Sequence, residues 1–277
     1  MSSKSVYRGF NQSQLDQLYN NQAACPDEET LFAGLQERSA KLYETFSFTK
    51  NIRYGTSSRE CFDYFPSGQE NAPTFIFIHG GYWEFCNKED YAFVADGVIR
   101  SGYNVILAEY NEAPNVSMTS IIAEITRLLD FLEVNMSRFN ISRGKVVLGG
   151  HSAGGHLASM LRDHPLVSHC MAISGIFDLY PISRSYLNEK LQLTDIEIEQ
   201  FSPIRHIKAG VPTSIHNGSN ELMELIRHSL EYAEALLASG NAVIYQQMPD
   251  HNHFTELDEL SYPDGKLLLA LNNLIKM

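Results

Sequence analysis

A five-residue segment with glycine at both ends, GHSAG at residues 150–154, constrains the fold of this chain more than any other feature of its sequence. Residues 145–148 predict a buried strand directly before it, and residues 153–162 predict a helix directly after it. A strand that turns at once into a helix strains the residue at the turn and leaves no room for flanking side chains. The segment therefore predicts a nucleophilic serine, Ser152, lifted clear of a central strand. A phosphate-binding loop is the other reading, but neither G-x-x-x-x-G-K-[ST] nor G-x-G-x-x-G occurs in the chain.

The rest of the chain alternates short apolar runs with longer stretches of helical periodicity. Strands are predicted at 62–65, 74–78, 104–108, 145–148, 170–174, 213–216 and 242–248, and the main helices at 31–46, 89–100, 120–134, 221–237 and 265–275. Such alternation predicts an α/β fold, a doubly wound and mostly parallel sheet with helices on both faces. Ligands of such sheets bind at the carboxyl ends of the strands.

Length and composition favour one large domain over residues 1–277, since 44% of the residues are hydrophobic and 19% are charged. Residues 1–50 are predicted to form an N-terminal helical extension. Residues 180–207 interrupt the alternation of strands and helices. This excursion either caps the site or crosses the surface without a role in binding.

Charge and cysteine usage limit the partners and the compartment. The net charge of −12 opposes binding to phosphate backbones, so no nucleic-acid partner is expected. No stretch approaches the roughly 20 apolar residues that span a bilayer, and residues 1–20 lack the apolar core of a signal peptide. The four cysteines show no CxxC pair and no zinc spacing, which indicates free thiols in a reducing compartment. We therefore expect a cytoplasmic protein without a membrane partner.

A second glycine-containing loop, HGGYW at residues 79–83, follows the predicted strand 74–78. Glycines let backbone N–H groups approach an oxygen that becomes an anion during acyl transfer. We predict oxyanion donors at Gly81, Tyr82 and, just after the nucleophile, Ala153. The substrate pocket is predicted to include Tyr82, Trp83 and Phe85, although a lone tryptophan is equally often plain core. A tight turn at residues 80–81 without a catalytic role is the alternative.

A histidine base and a carboxylate should follow the last two predicted strands, because the chain order in such sites is nucleophile, acid, histidine. His253 and His251 both follow strand 242–248, and the His-Phe pair at residues 253–254 favours His253. Glu221 lies a few residues after strand 213–216 and is the predicted acid. Its alternative role is to charge the first turn of the following helix. Asp178, after strand 170–174, is the other candidate acid.

Several segments together resemble one protein family. These are DQLYNNQAACPD at 16–27, HGGYW at 79–83, GHSAGGHL at 150–157, SGIFDL at 174–179 and Ser-Pro at 202–203. They resemble the kynurenine formamidase (arylformamidase)-like branch of the α/β-hydrolases, over about residues 15–254. The chain departs from that branch at Glu221, which replaces an aspartate, at Glu112, which replaces a leucine, and at His228, which replaces a glutamine. Glu112 and His151 are expected near the substrate.

The resemblance implies hydrolysis of an N-formyl aryl amine through an acyl-enzyme on Ser152. It implies no metal or organic cofactor, and a small aromatic amide or ester as the partner. It also suggests a homodimer, for which the sequence fixes no interface. A carboxylesterase, lactonase or other amidase is the alternative, since the same site serves all of these reactions. A non-enzymatic binder is the third hypothesis, but such proteins typically lack the serine or the histidine, which are both present here.

Overall fold

A computed structural model of the protein describes residues 5–25 and 27–277. Its strands form one eight-stranded sheet. In chain order they are β1 (Thr49–Arg53), β2 (Cys61–Phe65), β3 (Thr74–Ile78), β4 (Asn104–Ala108), β5 (Val146–His151), β6 (His169–Ile173), β7 (Thr213–Gly218) and β8 (Val243–Met248). Their spatial order is β1-β2-β4-β3-β5-β6-β7-β8. The pairs β1–β2 and β2–β4 are antiparallel and all others are parallel, which confirms the predicted mostly parallel sheet.

Helices join the strands and cover both faces of the sheet. They are α1 (Gln12–Gln17), α2 (Asn21–Ala24), α3 (Glu28–Thr45), α4 (Ala95–Arg100), α5 (Met118–Val134), α6 (Ala153–Met160), α7 (Leu179–Arg184), α8 (Asn188–Leu191), α9 (Asp195–Gln200), α10 (Met223–Ala238), α11 (Asp258–Ser261) and α12 (Lys266–Leu274). Short 3₁₀ turns cover Ala92–Val94, Pro203–Arg205 and Thr255–Leu257. No helix within the described residues is both long enough and apolar enough to cross a membrane.

The central strands are apolar on both faces because each face packs against helices. In β3, Phe75 and Phe77 enter one core cluster with residues of α3, α4 and α12, whereas Ile76 and Ile78 enter another with residues of α5 and α6. Successive side chains of a strand point to opposite faces, so a strand covered on both sides reads as a continuous apolar run. Because β3, β5, β6, β7 and β8 run parallel, their carboxyl ends lie at one edge of the sheet.

The structure differs from the predicted elements most clearly at two points. Strand β1 was not predicted, because it lies at the sheet edge and buries only Ile52. The helix predicted at 89–100 is shorter, since the chain forms the turn Ala92–Val94 before α4 begins. The excursion at 180–207 contains α8, α9 and all of α7 except its first residue, Leu179. Its function as a cap stays a prediction.

Candidate active site

Ser152 occupies the sharp turn between β5 and α6. Its backbone has φ 54° and ψ −118°, a conformation that L residues rarely adopt and that marks a strained position. The flanking glycines make the turn possible: a Cβ at Gly150 would lie 2.3 Å from the Gly154 carbonyl oxygen, and one at Gly154 would lie 2.0 Å from the Ile78 carbonyl oxygen. The Ser152 N–H donates to the carbonyl of Ile173 on β6 (2.8 Å), which fixes the turn against the sheet.

The HGGYW loop lies directly against this serine. A Cβ at Gly80 would be 3.1 Å from Ser152 Cβ. Gly81 has φ 103° and no space for a side chain, because a Cβ there would lie 1.9 Å from the Phe85 carbonyl oxygen. Tyr82 also adopts a left-handed conformation (φ 48°), held by its hydroxyl, which donates to the Tyr19 carbonyl (2.7 Å). The loop therefore contacts both the serine turn and the N-terminal segment.

The three predicted oxyanion donors retain free backbone N–H groups. Within residues 5–25 and 27–277, the amides of Gly81, Tyr82 and Ala153 donate to no carbonyl or side chain. Gly81 and Tyr82 line the cavity that contains Ser152, and Ala153 is the first residue of α6. Unpaired N–H groups at a helix N-terminus and in a glycine loop are suited to an oxyanion. Their catalytic role stays a prediction.

The predicted acid and base meet at the ends of β7 and β8. His253 Nδ1 donates to Glu221 Oε2 at 2.8 Å. The other oxygen of Glu221 accepts the Gly218 N–H at 2.6 Å, which orients the carboxylate. With its proton on Nδ1, His253 leaves Nε2 as the nitrogen that can accept a proton. No hydrogen bond joins Ser152 Oγ to His253 in the described part of the chain, although both line the same cavity; such contacts often form only with substrate bound.

The alternative acid and base lie elsewhere. Asp178 accepts the Tyr180 N–H at 3.0 Å as the N-cap of α7 and pairs with Arg205 at 3.2 Å. His251 Nε2 contacts Glu259 Oε1 at 3.0 Å. The structure thus brings together Ser152, His253 and Glu221, and gives Asp178 and His251 other partners.

His151, inside the segment 150–154, contacts the predicted base, His253. Its Nε2 donates to the His253 carbonyl at 2.8 Å, and the two ring centroids lie 4.5 Å apart. Burial, with a smaller contribution from His253, lowers the pKa of His151 well below its ordinary value. A neutral His151 therefore places no positive charge beside His253. His151 also lines the cavity, as predicted for a substrate-binding residue.

Two residues of the site were not identified from the sequence: Ser174, just past β6, and Glu256, in the turn after His253. The Ser174 hydroxyl contacts the carboxyl groups of both Glu221 and Glu256. Burial, and then the Glu221 carboxylate, raise the pKa of Glu256 well above its ordinary value. One signal was present in the sequence, since Glu256 stands between the apolar residues Phe254 and Leu257.

The cavity beside Ser152 has a volume of about 280 Å³. Its walls come from five parts of the chain: the HGGYW loop and the residues after it, the serine turn, the segment after β8, the N-terminal segment and the 180–207 excursion. The residues that line it are Asn21, Gln22, Gly81, Tyr82, Glu84, Phe85, Tyr91, His151, Ser152, Tyr186, Leu187, Lys190, His253 and Phe254.

Two predicted substrate contacts do not reach this cavity. Trp83 is fully buried and packs edge-on against His156, with ring centroids 5.0 Å apart. Its left-handed backbone (φ 60°) turns the indole into the core. Glu112 pairs with Arg59 at 2.9 Å, and the same guanidinium also binds Glu109, so this carboxylate belongs to an ion-pair cluster outside the cavity wall. Tyr82 and Phe85 do line the cavity, as expected.

One group of possible metal ligands occurs among the described residues: His151, His253 and Glu256 have ligand atoms within 4.8 Å of one another. Hydrogen bonds already engage these residues. His253 Nδ1 binds Glu221, His151 Nε2 binds the His253 carbonyl, and Glu256 contacts Ser174. The cluster is therefore explained without an ion.

Comparisons with known proteins place this chain in a family. A sequence-family profile described as BD-FAE matches residues 63–164. The chain is 30% identical to a kynurenine formamidase of Danio rerio over 85% of this chain and 84% of that protein. It is 27% identical to a kynurenine formamidase of Salmo salar over 98% of this chain and 96% of that protein.

Solved structures agree on the fold. The esterase LipW of Mycobacterium marinum superposes with a TM-score of 0.74 at 17% identity, over 92% of this chain and 90% of that one. The sheet order, the relatives and the structural likeness together confirm the α/β-hydrolase fold predicted from the sequence. The protein is a hydrolase of ester or amide bonds. It belongs to the kynurenine formamidase (arylformamidase)-like family of α/β-hydrolases.

Proposed function

We propose that the protein is a serine hydrolase that removes a small, formyl-like acyl group from an aromatic amine through an acyl-enzyme. One observation carries this proposal: the strained Ser152 and the Glu221-bound His253 line the same cavity, beside unpaired backbone N–H groups. The kynurenine formamidase relatives support the formyl amide as the substrate class.

The proposed reaction has two halves. Ser152 Oγ attacks the carbonyl carbon while His253 Nε2 takes the hydroxyl proton, and the oxyanion is held by the N–H groups of Gly81, Tyr82 and Ala153. The imidazolium then gives that proton to the leaving amine, which departs as the C–N bond breaks. In the second half, water attacks the acyl-enzyme, its proton goes to His253 and then to Ser152, and formate is released. Throughout the reaction the Glu221 carboxylate accepts the hydrogen bond from His253 Nδ1–H.

The cavity wall supports an aromatic leaving group. Five aromatic rings line it, from Tyr82, Phe85, Tyr91, Tyr186 and Phe254. Phe85 is 41% exposed and so offers a large part of its ring to an incoming ligand. Aromatic walls gain contact energy from a flat ring placed against them. At about 280 Å³ the cavity approaches the lower end of the usual size of a small-molecule site.

The proposal is tested by hydrolysis of N-formyl-L-kynurenine beside p-nitrophenyl acetate. Ser152→Ala should lower kcat/KM for both substrates by at least about 10⁴-fold, because removing the nucleophile of a serine triad typically costs this much or more. Ser159→Ala is the matched control, since Ser159 is a buried serine on α6, the helix that follows Ser152, and does not line the cavity. It should keep kcat/KM within about 3-fold of the wild type, as a substitution that leaves the transition state untouched does.

Ester hydrolysis is the second candidate, favoured by the structural likeness to an esterase. Serine-dependent cleavage of the ester without deformylation would establish this candidate and reject the formamidase proposal. Deformylation that survives in Ser152→Ala would reject both.

A further inference from the structure

The Glu221 carboxylate shares a serine hydroxyl with a second acidic residue that the catalytic scheme does not use. Glu256 lies in the turn Thr255–Leu257 and is completely buried. Its carboxyl group contacts the Ser174 hydroxyl, and that hydroxyl also contacts Glu221. We call Ser174, Glu221 and Glu256 the buried carboxyl cluster.

Proton counting shows that the buried carboxyl cluster contains an acid proton. A serine hydroxyl carries one proton, so it can donate to only one of the two carboxyl groups that contact it. Its contact with the other group is a hydrogen bond only if that carboxyl group donates to the serine oxygen. Two neighbouring buried carboxylates also repel each other strongly, which favours a proton on one of them.

Hydrogen bonds decide which carboxyl group carries this proton. Glu221 accepts from the His253 ring and from the Gly218 N–H, and both donors favour a charged carboxylate. Glu256 receives no N–H within the described residues, and its Oε2 is buried without a partner. The uncharged member of the cluster is therefore Glu256.

Glu256 also lies close to His151, the residue that contacts the backbone of His253. His151 Nε2 lies 3.8 Å from Glu256 Oε1 and donates to the His253 carbonyl. The charged and titratable groups around Glu256 are thus Glu221, His151 and His253. Glu256 stands between the residue that holds the acid, Ser174, and the residue that holds the backbone of the base, His151.

We propose that Glu256 is a positioning residue that works as an uncharged carboxylic acid: it donates to Ser174 Oγ, and the Ser174 hydroxyl then donates to Glu221. This chain of hydrogen bonds leaves a single negative charge in the buried carboxyl cluster and fixes it toward His253 Nδ1. The proposal rests on the assignment of Ser152, His253 and Glu221 in the proposed function.

Two substitutions of Glu256 separate hydrogen bonding from charge. Glu256→Gln keeps a donor and an uncharged group, so kcat/KM should stay within about 3-fold of the wild type, and the acid limb of its pH profile should not move. Glu256→Met has similar length without a donor, and kcat/KM should fall about 10- to 100-fold, the range expected when a hydrogen bond to a charged system is lost. Ser174→Ala should show a similar loss, which keeps the test decisive if the Met variant unfolds.

The rate of Ser152 labelling by a fluorophosphonate should be measured beside p-nitrophenyl acetate hydrolysis, because labelling reports serine activation whatever the natural substrate is. Glu259→Gln is the matched control: this neighbouring glutamate binds His251 outside the cavity, so it should label at the wild-type rate.

Three results would overturn the proposal. In the first, Glu256→Gln loses as much activity as Glu256→Met. In the second, the acid limb of the Glu256→Gln pH profile moves to lower pH by about one unit, as removal of a negative charge beside His253 requires. In the third, Glu256→Met and Ser174→Ala both label like the wild type. A wild-type protein that labels no faster than Ser152→Ala would instead overturn the catalytic assignment itself.

Discussion

The two sides of the site are built in different ways. On the nucleophile side, the serine turn and the HGGYW loop are shaped by backbone: positive φ angles and glycines whose Cβ atoms would collide with carbonyl oxygens. On the acid–base side, Ser174, Glu221 and the pair His253 and Glu256 come from three segments and are held by side-chain hydrogen bonds. The first side is local in sequence and insensitive to charge, whereas the second depends on protonation and on contacts between distant residues.

The sharpest test of the acid–base side is Glu221→Gln. The amide cannot stabilise the imidazolium and favours the wrong tautomer of His253, so kcat should fall about 10³- to 10⁴-fold. Steady-state hydrolysis of p-nitrophenyl acetate measures the loss.

Asp178→Asn is the matched control, because Asp178 was the other candidate acid and binds Arg205. Its kcat should stay within about 3-fold of the wild type, since it touches no group of the reaction. A larger loss in Asp178→Asn than in Glu221→Gln would reverse the assignment of the acid.

Gly154→Ala tests the backbone character of the nucleophile side. The new Cβ would lie 2.0 Å from the Ile78 carbonyl oxygen, which is backbone and cannot move aside cheaply. We expect the free energy of unfolding to fall by about 3 kcal/mol, at the upper end of overpacking effects. Urea unfolding followed by circular dichroism measures this change.

Gly34→Ala provides the comparison for this variant. Gly34 lies inside α3 with open space around it, so alanine should raise the stability by up to about 1 kcal/mol. A Gly154→Ala protein as stable as the wild type would show that backbone contacts do not fix the turn.

His156 could break the comparison, because it places a titrating group on the nucleophile side. It is buried on α6, its Nε2 contacts the Phe201 carbonyl at 2.7 Å, and burial lowers its pKa to about 4. The unfolded state therefore binds a proton at a higher pH than the folded state. The contribution of neutral His156 to the free energy of unfolding is therefore complete above about pH 6.5. It is lost as the pH falls toward 4, by about 1.4 kcal/mol per pH unit.

Urea unfolding at pH 7, 6 and 5 checks this dependence. In His156→Gln the amide can still donate to Phe201 but does not titrate in this range, so the decline in stability should be shallower by up to the same amount. If the free energy of unfolding declines equally with pH in both proteins, His156 does not contribute to the pH dependence of the stability.

The same difference explains what the sequence could predict. The bounds of β3 and β4 were predicted without error because strands buried on both faces are continuous apolar runs. Strand β1 was missed because an edge strand with one buried residue, Ile52, has almost no apolar pattern. Ser152 and the HGGYW loop were recognisable because strained backbone demands glycine at fixed spacing.

Side-chain networks leave no such pattern. Nothing in the spacing of Ser174 and Glu256, 82 residues apart, indicates that they touch. Trp83 shows the converse: its position in a recognised loop predicted a pocket wall, but a positive φ turned the indole into the core. Local sequence patterns predict where backbone must bend, and tertiary packing decides where the side chains then point.

The contact between Tyr82 and the N-terminal segment has a practical consequence. The Tyr82 hydroxyl binds the Tyr19 carbonyl and accepts from Asn21, which itself forms part of the cavity wall with Gln22. Residues 19–22 precede the first strand, so they resemble a dispensable leader that is trimmed when a minimal fragment is prepared. Such trimming would remove one side of the cavity wall together with the Tyr19 side chain, which is fully buried in the core. The fragment would therefore lose core packing as well as the shape of its cavity.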